Sequence, residues 1–328
     1  MNIKYLPTDY ASVYQDAVFG CADVVGDGSG VAIADIIIGD NTEAVGQKLY
    51  YNRMEFDVNV APYVEPQLEV VPLKIKGLGK APKRTVKVSV RVDGERSPKV
   101  IMAAGAQGLD QGVLLSASNR RTIALGQYDE IAFIPTSPEL WVSITVVDKQ
   151  GRMYAWRESP YLVDGDGVLV YGVDASQIMA DAKQQVGVET ESIVRFDVTI
   201  LFGMTEAFTV RYDVKRTTQG VRLSWINRYG AIDTYTFPTI NSANIVCDRE
   251  GRVTPQSAWR EIALSSEIMP RKQVEWLAEV VTSPRVWMVE GGGLQECEVL
   301  SKKIEVDNVE VPCAVKIIVK PTKEIFAQ

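Results

Sequence analysis

Residues Thr85–Val92 read Thr-Val-Lys-Val-Ser-Val-Arg-Val, apolar and polar side chains in strict alternation. Successive side chains of a strand point to opposite faces. Such a segment therefore gives one face to a core and one to water, as half-buried antiparallel strands do. Met54–Val60 repeats the pattern. Further strands are expected at Val31–Ile38, Leu68–Ile75, Leu140–Val147, Ser192–Phe202, Ala207–Val214, Val221–Ile226, Ile304–Val309 and Ala314–Val319. Glycine-bearing turns separate them, at Asp148-Lys149-Gln150-Gly151, Asp164-Gly165-Asp166-Gly167 and Asp248-Arg249-Glu250-Gly251. Many short strands joined this way predict a mainly all-β chain of antiparallel β-sandwich domains with one or two short helices.

Two segments carry helical spacing. Ser176–Val186 is rich in helix formers, with Ser176 as its N-cap. In Arg271–Thr282, Val274, Leu277, Ala278 and Val281 fall on one face, Pro270 suits the start and Ser283-Pro284 the stop. A chain of 328 residues has room for about two domains. Composition turns polar at Asp181–Ser192, which sets an expected boundary near 188. This divides an N-terminal domain, 1–188, from a C-terminal domain, 189–328. The stretch Gly77–Arg84 is a second candidate break, which would make two sandwiches of the first domain.

The sequence contains no histidine. That excludes Ser-His-Asp and Cys-His catalysis, the HExxH zinc helix and an imidazole pH switch. Gly26-Asp27-Gly28-Ser29-Gly30 lacks dinucleotide-loop spacing and precedes a strand, so a turn is expected. Asp164–Gly167 starts like a calcium loop, but Val168 and Ala175 stand where ligands belong. Gly291-Gly292-Gly293 reads as a hairpin tip. The acids, among them Glu55, Asp57 and Asp129, are expected at solvated strand positions rather than as a glycosidase pair. Lys74, Lys76, Lys80, Lys83 and Arg84 form a local basic cluster, read as an edge-protecting row. With a net charge of −7 and no interleaved aromatics, nucleic-acid binding is not expected. Cys21, Cys247, Cys297 and Cys313 lack metal spacing and are expected as buried or half-buried free thiols. Cys297 and Cys313 could face each other on neighbouring strands. No cofactor, metal, signal peptide or membrane-spanning run is expected.

Residues 221–238 hold the most informative segment. Val221, Leu223 and Trp225 alternate on one strand face, Asn227-Arg228-Tyr229-Gly230 turns, and Tyr235 and Phe237 alternate on the return. This aromatic hairpin can anchor a β-core. It also resembles a pattern in phage and prophage tail- or virion-associated structural proteins of Bacteroidetes hosts. There a strand ending in Trp-hydrophobic-Asn is followed by Arg/Lys-aromatic-Gly-Gly-x-Asp-x-aromatic-x-Phe. Trp225, Asn227, Tyr229, Gly230, Asp233, Tyr235 and Phe237 match, and Ala231 departs at the second glycine. The order of elements after 238 follows the same proteins more loosely.

The resemblance implies a non-enzymatic structural or assembly protein of a phage-like particle, tail-associated, made in the host cytoplasm and located in the virion. Other virion or tail proteins and further copies of the chain are its expected partners. The alternative is a carbohydrate-binding or adhesion sandwich, for which Trp141, Trp156, Tyr161 and Tyr171 are the available platforms.

Overall fold

The computed structural model describes residues 2–22, 30–106, 108–109, 112–116, 118–163, 166–217, 219–248, 257–290, 293–304, 312–322 and 326–327. The chain is mainly antiparallel β-sheet with a few short helices. Three apolar cores follow one another along it.

In the first core, Val31–Ile38 lies between Ala44–Tyr51 and Thr85–Val92. The sheet continues through Val100–Ala103 to Ala11–Ser12. A second sheet orders Asn2–Tyr5, Val18–Ala22 and Phe56–Asn59. Ala34, Ile36, Val88 and Val90 from one sheet meet Phe19 and Val58 from the other, all fully buried, beside the short helix α1 (Ala61–Val64). Alternation in these strands thus does what the sequence predicts, delivering one row of side chains to a shared interior.

The second core is built on the sheet order 120–124, 205–215, 193–202, 139–148, 153–157. Its first pair is parallel and the others antiparallel. A smaller sheet orders Tyr128–Phe133, Leu169–Asp174 and Gly77–Lys80. Helix α2 (Ala175–Val186) adds Ile178 and Met179 to this core. The third core packs an eight-stranded sheet, spanning 221–327, on helix α3 (Arg271–Thr282) through Val274, Trp276, Leu277 and Val280.

Several expectations are corrected. The break near 188 falls inside one sheet, since Ile193–Phe202 pairs with Glu139–Asp148 across it. The polar run there is a helix end. Gly187, at φ 70°, is the left-handed cap of α2, and its N–H and that of Val188 satisfy the Lys183 and Ala182 carbonyls. Gly77–Arg84 is no break either, because Gly77–Lys80 is a strand of the second core. The N-cap of α2 is Asp174, which accepts from the Ser176 and Gln177 N–H groups; the Ser176 hydroxyl instead accepts from Gly126 N.

Leu68–Ile75 is not a strand. Side chains satisfy its backbone instead, Glu130 Oε2 accepting from Leu73 N and Tyr128 Oη accepting from Ile75 N at 2.7 Å. Gly172 makes this possible, since a Cβ there would sit 1.9 Å from the Ile75 carbonyl oxygen. Most of Ile304–Val309 and of the loops at 26–30, 248–252 and 291–293, and half of the loop at 164–167, lies outside the described residues.

Cys297 sits opposite Val286 and Pro321, and Cys313 opposite Met269, so the two cysteines do not face each other. All four thiols are free, and Cys247 is exposed rather than buried.

Candidate functional site

The hairpin singled out in the sequence joins Val221–Ile226 to Ile232–Phe237 in the register Val221↔Phe237 to Ile226↔Ile232. Asn227 makes its turn. The Asn227 Oδ1 accepts from Tyr229 N and Ala231 N, a side chain standing in for backbone as asparagine does in turns. Its Nδ2 donates to the Leu115 carbonyl in the second core and to Asp233 Oδ2. Gly230, at φ 72°, lies against the Ala104–Gly105 backbone of the first core, where a Cβ would approach Ala104 C at 2.5 Å. Ala231 is buried there with Tyr10, Ala103 and Ala132. The position that departs from the resembled pattern is therefore part of an inter-core contact. Trp225 and Phe237 are fully buried, and Trp276 of α3 packs tilted against Trp225 and edge-on against Tyr235, at 5.4 and 6.1 Å between ring centroids.

Asp233 is the centre of a charge cluster. It is 0% exposed and accepts four hydrogen bonds. Arg121 Nη2 and Ser116 Oγ donate to Oδ1, at 2.9 and 2.5 Å; Trp276 Nε1 and Asn227 Nδ2 donate to Oδ2, at 2.8 and 3.0 Å. Arg121, 2% exposed, also donates from Nη1 to Asp129 Oδ2 and to the Glu130 carbonyl. Asp129 Oδ1 accepts from Thr234 Oγ1 and from Glu130 N. Arg222 donates to Thr234 Oγ1, Thr236 Oγ1, Gln127 Oε1 and the Tyr128 carbonyl. Beside them Arg84 Nη1 pairs with Glu130 Oε1 at 2.6 Å, and Arg84 Nη2 donates to the Val71 carbonyl. Three guanidinium groups and three carboxylates, contributed by all three cores, are thus buried together.

Burial works against each charge, and the neighbours decide the outcome. Desolvation opposes ionisation of Arg121, but Asp129, Tyr212 and Asp233 outweigh it and hold the guanidinium above its ordinary value. For Glu130 desolvation wins over the attraction of Arg84, and its carboxyl is pushed up. For Arg222 desolvation wins over Asp129, and its guanidinium is pushed down.

An ionised carboxylate offers about four acceptor directions. In Asp233 all four are taken by the protein. The cluster can hold elements in register, and this carboxylate has no acceptor direction left for a substrate.

The sequence places Trp225, Asn227, Tyr229, Gly230, Asp233, Tyr235 and Phe237 on one hairpin, and the structure keeps them there. It does not foresee Arg84, Arg121, Asp129, Glu130 or Arg222. Asp129 is buried, not a solvated strand position, and Arg84 leaves the expected basic row for the interior. Lys83 is paired with Glu69. Glu55 is paired with Lys4, and Asp57 accepts from the Tyr5 hydroxyl. Of the four aromatics available for a sugar platform, Tyr161 and Tyr171 share a groove, and both donate to Glu158. Tyr171 is buried, and Trp141 packs apart from them against Arg157. Among the described residues no group of acids and thiols is placed to hold a metal ion, and no helix is long and apolar enough to cross a membrane.

No family model and no curated protein matches the chain. Among solved structures, the crystal structure of Dpr2 Ig1-Ig2 in complex with DIP-Theta Ig1-Ig3 is similar at 10% identity, over 98% of this chain and 88% of that one. The TM-score is 0.20, too low for the likeness to bear on fold or partner.

Proposed function

We propose that the chain is a non-enzymatic structural protein of a phage-like particle, tail-associated, that works through protein–protein contacts. The observation that carries this reading is the buried charge cluster centred on Asp233, whose four acceptor directions are all taken by the protein. Buried charged side chains are committed to one another where the three cores meet, which suits a rigid building block. The resemblance of Trp225–Phe237 to virion-associated proteins supports the phage-like setting.

The surface supports assembly as well. Ala44–Tyr51 ends its sheet, and Ile33, Val45, Leu49 and Tyr51 are exposed on this edge hairpin. Apolar side chains on an edge strand favour association with further chains.

Density-gradient purification of particles from a host carrying the gene, followed by mass spectrometry, tests the proposal. The chain should band with the particles at a fixed ratio to other virion proteins. Its absence from intact particles would refute the reading. Light scattering adds a second test, with self-association expected at high concentration and a strict monomer counting against it. A specific hit on a glycan array, without association, would favour the carbohydrate-binding alternative.

A further inference from the structure

Ala44–Tyr51 is a free edge without the usual guards. It pairs with Val31–Ile38 on one side, and among the described residues no backbone group bonds its other side. Edges are commonly closed to further strands by proline, by charges or by bulges. This strand has no proline. Its one charge, Lys48, is on the opposite face from Leu49 and reaches over the Tyr63 ring. Its bulge is confined to the first end, where Ile36 faces Gly46, Ile37 faces Ala44 and Val45 has no residue opposite. From Gly46 to Tyr51 the register is regular.

The hydrogen-bond phase decides which groups are free. Asn52 N–H, just past the strand, donates to the Gly30 carbonyl at 2.7 Å. Backbone groups of successive residues turn to alternate sides of a strand. Gly46, Lys48 and Tyr50 therefore bond Val31–Ile38, and the N–H and C=O groups of Gln47, Leu49 and Tyr51 point away from the sheet. The side chains of these three are exposed as well, Leu49 at 54% and Tyr51 at 67%. Ile33, 41% exposed, stands directly opposite Leu49 and shares its face.

We infer that a second copy of this chain adds to this edge, strand to strand and antiparallel, about a two-fold axis at Leu49. The inference deepens the assembly reading and rests on it. With the axis there, Leu49 faces Leu49 and each Gln47 faces Tyr51 of the second copy, so every outward group of the regular edge finds a partner. Ile33 and Leu49 of both copies then form one apolar row across four strands. An axis one residue earlier sets Lys48 against Lys48 and runs into the bulge, and one residue later leaves Gln47 facing a residue beyond the strand. Charge agrees with the antiparallel sense. Glu43 precedes the strand and Arg53 follows it, both exposed and without an ion pair among the described residues. The second copy brings the basic end of its strand alongside the acidic end of the first. A two-fold contact of this kind uses up both edges and closes at the dimer.

Sedimentation velocity on the intact chain, from micromolar to millimolar concentration, tests the interface. The native chain should show a monomer–dimer equilibrium. Leu49→Lys places like charges on the axis at an exposed position. It should leave the thermal unfolding curve unchanged and weaken the dimer at least about tenfold. Leu49→Glu should do the same, and an equimolar mixture of the two variants should regain a dimer, because residue 49 then faces its opposite charge. Gln47→Pro removes an outward N–H that the sheet's own ladder does not use, and should also give monomer. A native chain that stays monomeric, a Leu49→Lys variant that dimerises as the native chain does, or an equimolar mixture that stays monomeric would overturn the inference. Self-association indifferent to Leu49 would sink this interface and leave the assembly reading standing, and absence of the chain from particles would do the reverse.

Discussion

Replacing Asp233 by asparagine tests whether the buried cluster joins the three cores. The substitution keeps the size of the side chain and removes one charge. Four donors converge on Asp233: Arg121 Nη2, Ser116 Oγ, Trp276 Nε1 and Asn227 Nδ2. Asparagine offers one carbonyl oxygen, so two of them can keep an acceptor, and its new N–H groups face the others. Ser116 can turn its hydroxyl to the Ser118 carbonyl. Trp276 is fixed by its ring contacts and Asn227 by its turn, so either both donors at Oδ2 or Arg121 must go unsatisfied. Arg121 is left with Asp129 as its sole carboxylate. Removing one partner of a buried pair costs about 3–5 kcal/mol. An unpaired buried donor costs about 1–3 kcal/mol, and the two effects overlap. We expect a loss of about 3–5 kcal/mol, a large part of the ~5–15 kcal/mol that holds a domain folded. Urea titration followed by tryptophan fluorescence and by far-ultraviolet circular dichroism measures it. The native chain should unfold in coincident transitions. In Asp233→Asn the fluorescence change, to which four of the six tryptophans contribute from the third-core sheet and its helix (Trp225, Trp259, Trp276 and Trp287), should come first. A loss below about 1 kcal/mol, typical of a site without special demands, with transitions still coincident, would refute the reasoning.

Gly230→Ala should cost more than Gly39→Ala. Both glycines have positive φ, and the left-handed backbone alone costs about 1–2 kcal/mol, but only at Gly230 does a Cβ meet another backbone; equal losses in chemical denaturation would contradict this. Glu130 makes stability depend on pH. Its folded-state pKa is raised above the ordinary 4.5, so the folded form binds the proton more readily and this group's contribution falls as pH rises from 4.5 through the folded value. Glu130→Gln should flatten the stability curve in that window, whatever it does to the absolute level, and an unchanged slope would refute the assignment. Towards a thiol reagent in the native chain, Cys247 should react first. Burial pushes Cys21 and Cys297 up to about 11, and they should react only on unfolding; rapid reaction of more than one or two thiols would count against the packing.

The strand architecture was legible because alternation reports directly on which side chains share a face. Thr85–Val92 and Val31–Ile38 are strands with the bounds read from the sequence. So was α3, with the bounds read from the sequence, although its packing face is turned: Val274 and Leu277 are buried as expected, joined by Trp276 and Val280 rather than by Ala278 and Val281. The charge cluster was not legible, for a physical reason. Arg222, Ser224 and Thr234 occupy the polar phase of their strands, which alternation assigns to water, but the third core presses that face on the second. A second buried face appears only once modules pack, and periodicity within a segment does not record it. One local sign was present: Asp233 stands between Ile232 and Tyr235 in a strand otherwise rich in apolar residues and threonine. The boundary near 188 failed similarly, because a helix's exposed side and its cap have a linker's composition.

The cluster also fixes an order of events during synthesis. Arg84, Arg121, Asp129 and Glu130 leave the ribosome before Asp233, and Trp276 follows later still. At ordinary elongation rates the interval from Arg121 to Trp276 is roughly 8–30 s. Until it ends, the nascent chain carries an arginine whose final carboxylate does not yet exist, and a sheet completed near residue 215 has nothing to close its outer face. The early two-thirds of the molecule must therefore wait in a hydrated, unsealed form, and the last hundred residues act as the lock that expels water from the seam.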